Sequence, residues 1–132
     1  MSKMKTFSRH WKSSTKPKKQ RKYRHNAPLH IKKNMLAANL SKELRKKFGR
    51  RSLPLRKGDR VKILRGEFRK KTGKVEIVER KSLRVYIEGI EETKRDGTKV
   101  KTGIHPSNLQ IVDLHLEDKK RIKKLGGKKP KP

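Results

Sequence analysis

Arg56-Lys57-Gly58-Asp59-Arg60-Val61-Lys62-Ile63-Leu64-Arg65-Gly66-Glu67-Phe68-Arg69-Lys70-Lys71-Thr72-Gly73-Lys74-Val75 sets apolar side chains between charged ones on both sides of a loop rich in cations. Val61 and Ile63 open an alternation that resumes at Val75 and Ile77 and again at Leu83, Val85 and Ile87. A period of two places such residues on one face of a strand. Gly58-Asp59, Gly73, Lys81-Ser82, Asp96-Gly97 and Pro106-Ser107-Asn108 punctuate the pattern with turn formers. Strands are expected over roughly Arg60 to Leu64, Lys74 to Glu79, Ser82 to Glu88, Lys99 to Thr102 and Leu109 to Val112. Gly58, Gly66, Gly73 and Gly97 are assigned to turns, and Gly73 is expected to use the positive φ that glycine tolerates. Strands this short favour a small, mainly β barrel that closes its own edges over residues 58–113.

Working outward, the charge balance changes sharply. Residues 58–113 carry 14 basic and nine acidic side chains, whereas residues 1–57 carry 20 basic ones and a single acid, Glu43. The whole chain of 132 residues has 42 lysines and arginines against 12 acids, a formal net charge of +30. Such a chain repels itself until a polyanion neutralises it. No apolar run has the length of a bilayer-spanning helix, and the basic N-terminus lacks the apolar stretch of a secretory signal, so neither a membrane partner nor export is expected. The expected location is the cytoplasm. Cysteine is absent, which removes disulfides and zinc ribbons. With 29% hydrophobic residues the core is small.

Residues 1–28 show no apolar periodicity and read as a basic extended arm, disordered when free. In residues 29–57, Leu36, Leu40, Leu44 and Phe48 recur every four positions, the spacing of one helical face. Two short helices are expected leading into the barrel, the second about Lys42 to Phe48. Ser41 caps its first turn, Glu43 suits its positive end and Gly49 stops it. In residues 114–132, acids at Glu117 and Asp118 followed by lysines fit a short helix aligned with its dipole. Gly126-Gly127 ends it, and Lys128 to Pro132 form a flexible basic tail.

The quoted stretch resembles a KOW motif, an RNA-associated signature whose fixed glycine is here Gly73. On its own it fits a ribosomal protein or a KOW-type transcription elongation factor. The flanks Asn26-Ala27-Pro28-Leu29-His30, Leu40-Ser41-Lys42-Glu43-Leu44-Arg45, Gly49-Arg50-Arg51-Ser52 and Ile104-His105-Pro106-Ser107-Asn108 resemble the archaeal and eukaryotic form of universal large-subunit ribosomal protein twenty-four, called twenty-six in eukaryotes. The resemblance runs through about Arg121 and is of archaeal type. It implies an SH3-like barrel, direct binding to the first domain of large-subunit rRNA, an early role in subunit assembly and a position near the outer opening of the peptide exit tunnel. Neighbouring large-subunit proteins are implied as partners, and no homo-oligomer is expected. Family members often carry glycine where this chain has Lys70.

The residues expected to meet rRNA follow the cations. In the arm they are Arg9, Lys16, Lys18, Lys19, Arg21, Lys22 and Arg24. Beyond it come His30, Lys32, Lys33, Arg50 and Arg51, and then Arg65, Arg69, Lys70 and Lys71 in the barrel loop. With one acid before Gly58, an internal salt-bridge network cannot satisfy the first set. Lysines serve as phosphate counterions, and arginines can also fork onto phosphates or stack on bases. Trp11 either stacks on an unpaired base or ribose or docks on the protein's own barrel. Tyr23, among basic neighbours, leans toward RNA. Phe68 can anchor the loop in the core while its cations face phosphate. His105, Ser107 and Asn108 form a turn first and an RNA contact second.

Catalysis has little to stand on. The histidines have no ligand spacing, no P-loop is present, and Glu91-Glu92 falls in an expected loop facing solvent. No catalytic residue, metal or cofactor is assigned.

Overall fold

The computed structural model describes residues 7–125. Its elements run α1 (Pro17–Asn26), α2 (Leu29–Met35), β1 (Ala37–Leu40), α3 (Lys42–Phe48), β2 (Ser52–Pro54), β3 (Arg60–Ile63), β4 (Thr72–Glu79), β5 (Arg84–Thr93), β6 (Lys99–Ile104), β7 (Leu109–Asp113) and α4 (Lys119–Lys124), with 3-10 turns at Arg9–Ser13 and Pro106–Asn108. Each strand read from alternation is present at nearly the expected place.

The strands join in one sheet in the order β2-β1-β7-β3-β4-β5-β6. β1 runs parallel to β7, and every other neighbouring pair is antiparallel. The sheet has two free edges, β2 and β6, so among the described residues the expected closed barrel is replaced by an open sheet. Its strands nonetheless share one core: Leu40, Leu53, Val61, Val75, Val85, Ile104, Leu109 and Ile111 belong to a single buried cluster. Register shifts at Arg60/Val61, between Val75 and Ile77 and between Tyr86 and Glu91 supply the bends that let the sheet curl over that cluster.

Two strands are hidden from the sequence pattern. Leu36, Leu40, Leu44 and Phe48 do not share one helical face, because Leu36 ends α2 and Leu40 closes β1. The four-residue spacing spans a helix end, a strand and a new helix. Ala38 and Leu40 alternate inward in β1, which pairs with β2, so the segment answers to sheet burial rather than to helical spacing. From Ser41 onward the helical reading holds: its side chain accepts from the Leu44 N–H, and Gly49 terminates α3 at φ 66.

Gly73 is required for a different reason than a turn. It sits inside β4 without a positive φ, and a Cβ there would stand 2.7 Å from Ile87 Cγ2 and 2.9 Å from the Glu88 carbonyl oxygen. Glycine lets β4 and β5 approach. Gly58, Gly66 and Gly97 do take positive φ in turns as expected.

Residues 17–26, expected as extended chain, form α1. Pro17 at its first position and the side chain of Gln20, which donates to the Ser14 and Lys12 carbonyls at 2.6 and 2.9 Å, shape its start. Glu91 and Glu92, expected in a loop, lie in β5 opposite Lys101 and Val100. α4 begins at Asp118, whose carboxylate accepts from the Lys120 N–H. The stop at Gly126-Gly127, the basic tail and the first six residues of the arm lie outside the described residues.

Candidate nucleic-acid interface

The loop between β3 and β4 is closed at its neck by the backbone. The Ile63 N–H donates to Lys71 O at 2.9 Å, and the Lys70 N–H donates to Ile63 O at 2.8 Å. Phe68 is half-buried against the core, and Lys71 Nζ lies 5.1 Å from its ring centre, a cation over an aromatic face. Arg65, Arg69, Lys70 and Lys71 are exposed around it. An anchoring aromatic and exposed cations therefore coexist in one loop, and Lys70 adopts φ 71, the left-handed region that favours glycine.

The Leu64 N–H donates to Asn108 O at 2.8 Å and ties this loop to the Pro106–Asn108 turn. There His105 Nδ1 accepts from the Ser107 N–H at 3.2 Å and lies 2.8 Å from Ser107 Oγ. The turn is thus built by His105 and Ser107 themselves, with Ser107 exposed and Asn108 half-buried. Partial burial, and then the charges of Arg84 and Arg24, hold the His105 pKa below the ordinary histidine range. At neutral pH His105 is consequently an uncharged acceptor rather than a further cation.

The arm has a small structure of its own. Phe7 packs edge-on against Trp11, with ring centres 6.4 Å apart, and lies 5.1 Å from Tyr23. Tyr23 is only 8% exposed, so the expected RNA contact there is corrected: its ring is spent on the arm's own aromatic cluster. Trp11 touches Phe7 yet keeps 36% of its surface open beside a cavity of about 350 Å³ that His10, Lys19 and Lys22 help to line. Arg9, Lys16, Lys18, Lys19, Arg21, Lys22 and Arg24 are all exposed, and no acid lies in α1.

Lys32 is a second correction. It is 8% exposed, and its Nζ donates to the Lys81 carbonyl at 3.1 Å, tying α2 to the turn between β4 and β5. Burying its stem and satisfying its head leaves it a structural lysine. His30, Lys33, Arg50 and Arg51 remain exposed as expected.

One constellation escapes sequence reading. Asp59 is fully buried and accepts from the Arg56 N–H at 3.0 Å, the His115 N–H at 2.9 Å and both terminal nitrogens of Arg121 at 2.5 Å. Arg121 also donates to the Pro54 and His115 carbonyls. A forked pair of this kind fixes α4 to the start of β3. In the sequence Asp59 has the look of a turn residue and Arg121 of one more cation in a basic helix, and nothing local marks their meeting 62 positions apart.

Among the described residues no group of three or more His, Cys, Asp or Glu could hold a metal ion, and no helix is long and apolar enough to cross a membrane. The described residues thus form a small β domain whose arm and loop present exposed cations without acidic partners, the build of a polyanion-binding protein.

Comparison with known proteins gives that class a family. Residues 14–128 match the family described as the eukaryotic L26 and archaeal L24 ribosomal proteins. The chain is 47% identical over 114 residues to a large ribosomal subunit protein uL24 of Methanospirillum hungatei, covering 86% of this chain and 95% of that protein. It is 48% identical over 112 residues to the uL24 protein of Korarchaeum cryptofilum, covering 85% and 86%. The chain belongs to this ribosomal protein family, eukaryotic L26 and archaeal L24. It is a ribosomal protein and not an enzyme.

Proposed function

We propose that this chain is a structural constituent of the large ribosomal subunit that binds its 23S-type rRNA directly. The observation that carries this reading is the set of exposed cations on the β3–β4 loop and on α1 that no acid pairs with among the described residues. The loop from Arg65 to Lys71 is bonded to the His105 to Asn108 turn, which holds the loop cations on the sheet. The relatives' designation as large ribosomal subunit proteins supports the choice of subunit.

The mechanism is electrostatic joining. The sheet domain, an opened form of the SH3-like barrel, docks on folded rRNA. The arm then neutralises phosphates that would otherwise repel one another. Lysines act as point counterions and arginines as forks. Most contacts of this kind position the protein without reading sequence. The resemblance further assigns it the 5′ domain of the rRNA, an early step in subunit assembly, a place near the exit tunnel and contacts with neighbouring large-subunit proteins. The KOW-type transcription factor reading gives way because the family match runs through both flanks of the motif.

Sucrose-gradient sedimentation of cell extract tests the reading. The chain is expected to travel with large subunits at moderate salt and to leave them as salt rises. Co-migration with RNA polymerase or the nucleoid instead would overturn it.

A further inference from the structure

A groove of about 640 Å³ lies where α2, β2, β4 and α4 meet, away from the β3–β4 loop and sharing only Lys33 with the residues expected to meet rRNA. Its floor is apolar and includes Pro54, Leu55 and Ile77. Ile77 leaves 46% of its surface open. The rim is cationic: Lys33 from α2, Lys57 after β2, Arg80 after β4, and Lys120 and Lys124 from α4. Two acids also line it, but Glu76 is paired with Lys101 at 2.6 Å and Asp118 is paired with Arg56. Arg56 also lines the groove, so Asp118 offsets one of its cations and leaves Lys33, Lys57, Arg80, Lys120 and Lys124 without an acidic partner among the described residues.

The combination of floor and rim selects the occupant. A phosphate alone would be held by the rim and would have no use for an apolar floor. A paired RNA helix presents phosphates but keeps the faces of its bases stacked inside. An unpaired nucleotide offers both an apolar base face and flanking phosphates, and the groove's volume falls in the range of roughly 300 to 1,000 Å³ typical of small-ligand pockets. We propose that this groove receives an unpaired nucleotide of the RNA, with the base against Ile77 and Pro54 and the backbone phosphates along Lys33, Lys57, Lys120 and Lys124. The inference rests on the rRNA-binding reading and adds a site to it. The Asp59–Arg121 clasp supports the site, since it fixes the helix that carries Lys120 and Lys124.

The test uses the full chain with labelled methyl groups and two probes, a single-stranded hexanucleotide and an abasic ribose-phosphate hexamer of equal charge. The hexanucleotide is expected to move the Ile77 and Leu55 methyl signals and to bind about tenfold more tightly than the abasic probe, as base stacking does elsewhere. Ile77→Glu is expected to weaken binding to large-subunit rRNA by about the same factor while the melting temperature stays within a degree or two of wild type. Equal binding and equal shifts with the abasic probe would reduce the groove to a phosphate site and overturn the proposal. Equal shifts with hexaglutamate would assign the groove to an acidic protein segment, and methyl signals that move on deleting residues 126–132 would assign it to the chain's own end. Either result overturns it. If wild type binds rRNA and Ile77→Glu binds equally well, the groove inference fails alone, whereas absence of rRNA binding by wild type defeats the functional reading itself.

Discussion

The arm and the sheet carry cations of the same kind on different supports. In the sheet, Leu40, Val61, Val85, Leu109 and Ile111 are fully buried, and the cations of the β3–β4 loop stand on a backbone fixed by that core. In residues 7–26, by contrast, Tyr23 is the buried hydrophobic residue, and the arm's shape rests on three aromatic rings and the bonds of Gln20. Its exposed lysines and arginines repel one another with no acid in α1 to oppose them. The loop is therefore organised by the sheet itself, and we propose that the arm gains much of its order from the phosphates it neutralises.

That contrast breaks most visibly at the buried clasp. Removing Asp59 by Asp59→Ala leaves the Arg121 charge buried without its partner and is expected to cost about 3 to 5 kcal/mol of unfolding free energy. Tyr23→Ala should instead leave the main unfolding transition in place and shift Trp11 fluorescence, because the change is confined to the arm. Chemical denaturation followed by circular dichroism and fluorescence separates the two. If Tyr23→Ala unfolds the sheet as much as Asp59→Ala does, the arm and the sheet are one cooperative unit and the comparison fails.

A middle-sized effect belongs to the loop. Replacing Arg69, Lys70 and Lys71 with glutamate should lower rRNA affinity severalfold or more while changing stability by no more than about 0.5 kcal/mol per position. Filter binding and a thermal melt check both parts. A large loss of melting temperature would make these residues supports of the fold.

The smallest expected effect is pH-dependent and comes from His105. Its folded pKa lies below the ordinary value, so the unfolded chain takes up the proton more readily. The stabilising contribution is fully present above pH of about 6.5 and is lost as pH falls through the lower folded value. Protonation also ends the acceptance from the Ser107 N–H. Thermal melts between pH 7 and 5 should show a slightly larger loss for wild type than for His105→Gln, and identical losses would remove His105 as the cause.

What the sequence reveals follows from how local each signal is. Alternation at Val61, Ile63, Val75, Val85 and Ile87 locates the sheet, and Ser41 with Gly49 delimits α3 to the residue, because strand faces and caps are written in neighbours a few positions apart. β1 escapes because Ala38 is small and the spacing from Leu36 to Phe48 imitates a helix. Closure of the barrel is expected from strand length and from the resemblance, and neither decides whether β2 and β6 meet. For the site, exposure of the loop and arm cations follows from charge without partners. Lys32 and Tyr23 mislead since their acceptor and packing partner lie elsewhere in the chain. The Asp59–Arg121 pair and the groove around Ile77 need the folded chain.

The central claim, that the arm engages RNA through phosphate neutralisation while the sheet supplies a fixed platform, is tested most directly by salt dependence. Binding of the full chain and of a chain lacking residues 1–26 to the 5′ domain of large-subunit rRNA is measured across a series of salt concentrations. The intact chain should give a steep log-log slope, and removing the arm should flatten it by roughly 0.7 for each phosphate no longer neutralised at unpaired sites, with the sheet still folded. Equal slopes for the two chains would contradict the account.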